Sequence, residues 1–139
     1  MEEYPRQYLY RRVVRAKLFI DAHFAEPIDL DNIAGEACFS KFHFVRTFKE
    51  IYGRTPHQYL TDFRISHARD LLAEGRTVTA ACFSVGFDSV SSFTGLFKRR
   101  VGVTPAAFQR EQVARRERIA DEPIAFVPNC FAENHGWRK

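Results

Sequence analysis

The chain repeats itself once, and that repeat limits the possible folds more than any other feature. Phe44, Phe48, Lys49, Gly53, Thr55, Pro56 and Tyr59 are answered, at a constant offset of 49, by Phe93, Phe97, Lys98, Gly102, Thr104, Pro105 and Phe108. Upstream, Phe39 answers to Phe87 at an offset of 48, so the second copy carries one extra residue in its turn. A solenoid needs about three copies to bury its faces, so two copies point to a duplicated supersecondary unit. With 139 residues, 45% of them apolar, the chain suits one ordinary domain or two very small ones and excludes a large multidomain enzyme.

Proline and glycine cut the sequence into helical pieces, and no window keeps the alternation of a half-buried strand for long, which predicts an all-α fold. A first helix is expected from about Gln7 to Phe24, with Leu9, Val13 and Leu18 inward, Val14 and Ile20 beside them, and Arg11, Arg12, Arg15 and Lys17 on the wetter face. Asp29 can cap a short helix through about Ala37, and Ser40 a second one reaching Tyr52, with Gly53 as its stop. Pro56 suits the first position of a longer helix, in which Leu60, Phe63, Ala68, Leu71 and Leu72 recur at helical spacing until Gly75. Short helices from about Val78 to Val85 and from Ser89 to Val101 follow, separated by a turn at Gly86, and Thr104-Pro105 opens a last helix.

Each copy is therefore a helix pair joined by a turn, and the composition of its second helix separates a plain hairpin from a helix-turn-helix. From Ser40 to Tyr52, Phe44, Phe48 and Ile51 should form the buried stripe, leaving Lys41, Phe42, Val45, Arg46 and Lys49 outside. Apolar Phe42 and Val45 among cations suit a major groove, where thymine methyls and base edges are met together, and Arg46 can fork onto a guanine. Packing against the first helix is the plain alternative for Phe42, and a surface cation or phosphate contact that for Arg46. Ser40, Lys41 and Lys49 are placed on phosphates. In the second copy Val90, Ser91 and Ser92 are the base-contacting candidates, with Ser89, Lys98 and Arg99 on phosphates. That face is nearly neutral, so weaker base discrimination is expected, with the Lys98-Arg99-Arg100 run adding affinity blind to sequence. The net charge of +4 favours a polyanionic partner.

These residues resemble the DNA-binding domain of the AraC/XylS family of bacterial transcription regulators. The resemblance covers roughly Val13 to Arg110. It is carried by Gly86-Phe87-Asp88-Ser89-Val90-Ser91-Ser92-Phe93, Phe97-Lys98, Gly102, Thr104-Pro105 and Phe108, and in the first copy by Ile33-Ala34, Ser40, Arg46, Phe48-Lys49, Gly53, Thr55-Pro56, Arg64, Ala68 and Leu71-Leu72. It implies a seven-helix domain: a first helix-turn-helix subdomain over 7–55, a linker helix over 56–75, a second subdomain over 76–112 and a C-terminal extension over 113–139. Each recognition helix would enter a major groove, so that a monomer spans two boxes one turn of double-stranded DNA apart. It further implies a sequence-specific regulator that activates through contact with RNA polymerase, and a likeness to the small stand-alone members or, equally, to the corresponding part of a longer one. The chain departs from the family pattern at Gly95, where Arg is usual, at Ala81-Cys82 in place of Ile-Ala, and at Gln109, usually Arg.

Other functions find less support. Cys130 and His135, with Trp137 close by, lie near enough in sequence to suggest a nucleophile, but no acid or oxyanion motif accompanies them. His23, His43, His57, His67 and His135 form no metal motif, and Cys38, Cys82 and Cys130 are an odd, widely spaced set. Neither catalytic residues nor a metal or cofactor are expected. No apolar run could cross a bilayer and no signal peptide opens the chain, so a cytoplasmic protein with no membrane partner is expected. The alternative function is a helical protein-interaction module with only non-specific DNA affinity, suggested by Gly95, the neutral second face and the apolar Ile124, Phe126, Val127 and Phe131 near the C-terminus.

Overall fold

A computed structural model describes residues 3–36 and 40–121. Among these residues lie seven helices and no strand: α1 (Glu3–His23), α2 (Leu30–Glu36), α3 (Lys41–Tyr52), α4 (Pro56–Ala73), α5 (Val78–Ser84), α6 (Val90–Val101) and α7 (Pro105–Asp121). The expected all-α, seven-helix fold is thus met. Cys38, Phe39, Cys130, His135, Trp137 and the expected apolar tail lie outside the described residues.

The repeat is visible atom by atom. The hydroxyls of Ser40 and Ser89 accept from the backbone N–H groups of His43 and Ser92 at 3.1 and 3.2 Å, capping α3 and α6. Both helices end in a left-handed glycine, Gly53 and Gly102, whose N–H groups donate to the Lys49 and Lys98 carbonyls. Thr55 and Thr104 then accept from the N–H groups of Gln58 and Ala107, each beside a buried proline that opens the next helix. Gln58 completes a capping box by accepting from the Thr55 N–H.

Two buried clusters result. Val13, Ala16, Ile20, Ala34, Phe44, Phe48 and Leu60 form the first, and Ile65, Ala68, Leu72, Ala81, Cys82, Val85, Phe93, Phe97 and Phe108 the second. The linker helix α4 feeds both, Leu60 pointing to one and Ile65, Ala68 and Leu72 to the other. The inward face of α1 differs from the expected one. Val13, Ala16 and Ile20 are buried at three- and four-residue steps, whereas Leu18 is 55% exposed and Val14 is also exposed. Small Ala16, which contributes little to an apolar count, lets α1 approach its neighbours, and Leu18 falls about half a turn away from Val13 and Ile20. Ile51 is exposed as well, because the last turn of α3 runs past the edge of the cluster that Phe44 and Phe48 fill.

The α1–α2 loop joins the two halves. Phe24 packs against both clusters and its ring stacks on His67 and meets Phe63 edge-on. Arg64 of α4 donates to the carbonyls of Phe24 at 2.6 Å and Glu26 at 3.0 Å, with its guanidinium over the Phe87 ring. Gly86, at φ +97°, brings its Cα so close that a Cβ would sit 3.0 Å from the Phe24 and Ala25 carbonyl oxygens. Only glycine is at ease with that backbone and that proximity.

Candidate nucleic-acid interface

The outward face of α3 is built by what its inward face fixes. Phe44, Thr47 and Phe48 are buried, the two rings in the first cluster setting the rotation of the helix, and Thr47 satisfies its hydroxyl within α3 by donating to the His43 carbonyl at 2.9 Å. Phe42, on the other side, is 73% exposed, so it does not pack against α1. The Arg46 guanidinium lies 5.1 Å from the centre of the Phe42 ring, a cation–π stack one helical turn long. Lys49 is exposed one turn further on, while Val45 is half-buried against the first cluster and offers only an edge to solvent. Lys41 is exposed at the helix start, where its ammonium pairs with Asp31 of α2 at 2.9 Å. That pairing is not legible in the sequence, since an acidic residue ten positions away carries no local signal.

The corresponding face of α6 is smoother. Ser91, Ser92, Gly95, Lys98 and Arg99 are exposed, and Val90 is half-buried against the second cluster. Ser89 is committed as the cap, and its hydroxyl also lies 2.9 Å from that of Ser91. By the repeat, Ser91 and Gly95 stand where Phe42 and Arg46 stand in α3. The two outward faces thus share a frame and differ in chemistry. Among the described residues no group of three or more His, Cys, Asp or Glu side chains could hold a metal, and no helix is long and apolar enough to cross a membrane. Cys82 is fully buried, and that burial pushes its thiol pKa up, which disfavours the reactive thiolate.

A family profile described as a helix-turn-helix domain matches residues 33–111, more than half of the chain. The chain belongs to the AraC-type helix-turn-helix family. It is 33% identical over 94 residues to the right origin-binding protein of Escherichia coli K12, an alignment covering 67% of this chain and 32% of that protein. It is 32% identical over 95 residues to the HTH-type transcriptional regulator ArgR of Pseudomonas aeruginosa, covering 68% and 29%. The chain therefore spans about a third of the length of these relatives. Among solved structures, the DNA-binding domain of the global transcriptional factor AdpA, crystallised with a target DNA, superposes with a TM-score of 0.71 at 29% identity, covering 76% of this chain and 96% of that one. The matched part of the chain has the fold of an AraC-family DNA-binding domain.

Within the AraC-type frame, three features escape sequence reasoning. Gln109, in place of the usual Arg, donates its side-chain amide to the Leu72 and Arg76 carbonyls at 3.1 and 2.5 Å, tying α7 to the end of α4. Asp62 of α4 pairs with Arg54 at 2.6 Å and also with Arg100. Asp21 accepts the Tyr59 hydroxyl at 2.6 Å while its other oxygen pairs with Lys17. Apart from Lys17–Asp21, which has the four-residue spacing of one helix face, these contacts join residues that lie apart in the chain, and polar side chains at such separations carry no periodic signature.

Proposed function

We propose that this AraC-type chain binds double-stranded DNA sequence-specifically as a monomer, with α3 and α6 in successive major grooves, and regulates transcription as an activator. The outward face of α3 carries the proposal. An aromatic ring left 73% exposed beside a stacked guanidinium is costly for a solvated surface and fits a groove of base edges and methyl groups. Phe42, Val45 and Arg46 are the readers in α3, and Val90, Ser91 and Ser92 in α6. Ser40, Lys41, Lys49, Ser89, Lys98 and Arg99 meet phosphates, Lys41 after leaving Asp31. Two recognition helices in one chain supply what a dimer supplies elsewhere. The complex of the AdpA domain with its target DNA supports the duplex as ligand. Activation through RNA polymerase rests on the family resemblance, and a promoter–reporter fusion that rises with expression of the protein tests it.

Selection of sites from a random duplex library at near-physiological salt tests the binding. The expected result is two boxes about one helical turn apart, the α3 box sharper than the α6 box. Folded protein that enriches nothing would overturn the proposal and favour an interaction module. Arg46→Ala should relax preference at one or two base pairs, worth roughly 1 to 3 kcal/mol.

A further inference from the structure

Asp62 lies midway along the linker helix and is only 20% exposed. One of its carboxylate oxygens takes Arg54, the residue that follows the Gly53 stop of α3, and the other takes Arg100, in the last turn of α6. A single side chain thus gathers the C-terminal ends of both outward-facing helices, from opposite halves of the molecule. The pairs are partly exposed and each is individually weak. Their geometry matters more than their strength, because one planar group receives both guanidiniums, one on each oxygen, and so favours one relative placement of the helix ends that carry them.

We propose that Asp62, through Arg54 and Arg100, sets the spacing at which the two recognition helices accept their DNA boxes. It is a positioning residue and touches no base. The inference rests on the two-groove reading above. In B-DNA one extra base pair moves a box by about 3.4 Å and rotates it by roughly 35°, so a fixed angle between α3 and α6 rejects a shifted box. Without the carboxylate, two like-charged guanidiniums are left at neighbouring helix ends with nothing between them, and the angle loosens.

The test is a panel of duplexes carrying the selected boxes with the spacer unchanged or altered by one or two base pairs, together with duplexes carrying one box alone. The wild-type chain should lose about tenfold or more in affinity for each altered spacer. Asp62→Asn, which keeps the shape and removes the charge, should cut that loss at least threefold while single-box affinity stays within about twofold. Arg54→Gln should fall between the two and provides the same readout if Asp62→Asn folds poorly by circular dichroism. Unchanged spacer discrimination in folded variants would overturn the proposal. So would an equal gain in affinity for one-box and two-box duplexes, which would mean that the carboxylate acts by repelling phosphate. A wild-type chain that binds one box as tightly as two would instead overturn the two-groove reading.

Discussion

At the scale of single residues, Tyr59 and Gly95 make the sharpest cases. Burial, followed by its hydrogen bond to Asp21, pushes the Tyr59 pKa up to about 12 from an ordinary 10.0. A folded-state pKa above the unfolded one means stability fully present below pH 10 and lost as pH rises through about 12. Tyr59→Phe should therefore cost about 1 kcal/mol near neutral pH. That deficit should shrink between pH 10 and 12, as followed by urea unfolding of both proteins. A deficit that stays constant across that range would remove the Tyr59–Asp21 bond from the account. Gly95 is exposed in the middle of α6, and a Cβ added there would meet nothing within 4 Å. Gly95→Ala should raise stability by about 1 kcal/mol in the same unfolding measurement. Gly95→Arg, which restores the residue usual in the family and the repeat counterpart of Arg46, should sharpen the second box in site selection.

At the scale of elements, the α1–α2 loop against the Gly86 turn is one of the contacts that hold one helix pair against the other. A Cβ at Gly86 would meet two backbone oxygens at 3.0 Å on a φ of +97°, so nothing flexible can move aside. Gly86→Ala should lower stability by more than the roughly 1 to 2 kcal/mol that the left-handed backbone alone costs, read by thermal unfolding. The helices themselves are legible in the sequence because their ends are written locally: Ser40 and Gly53, Thr55-Pro56, Ser89 and Gly102 each act within about four residues. Phe44, Phe48, Phe93 and Phe97 are legible as core for the same reason, since spacing alone places them on one face. The inward face of α1 is not, because apolar residues lie nearly all round that helix and the buried choice, Ala16 over Leu18, is made by how closely α3 and α4 approach. The outward positions of α3 can be named from the sequence, as can those of α6. The partners of Lys41, Arg54, Arg64 and Arg100 cannot, because polar contacts between elements obey no period.

At the scale of the whole molecule, charge and connection govern how a duplex would be held. Four of the proposed phosphate contacts, Lys41, Lys49, Lys98 and Arg99, are cations, so the logarithm of affinity should fall with the logarithm of salt at a slope of about −4. Lys49→Ala should reduce that slope by about 1 with the preferred sequence unchanged, as measured by fluorescence anisotropy across a salt series. A slope near zero would place those cations away from the backbone. The two helix pairs meet at a junction where a methyl group on Gly86 would press on two backbone oxygens, and Arg64 ties the loop there to the linker helix. Such a joint would leave one head little slack to let go while the other holds. On the two-groove reading, release from a two-box site would then be a nearly concerted event whose lifetime reflects both grips at once, and one molecule would be poorly placed to hold two separate duplexes together.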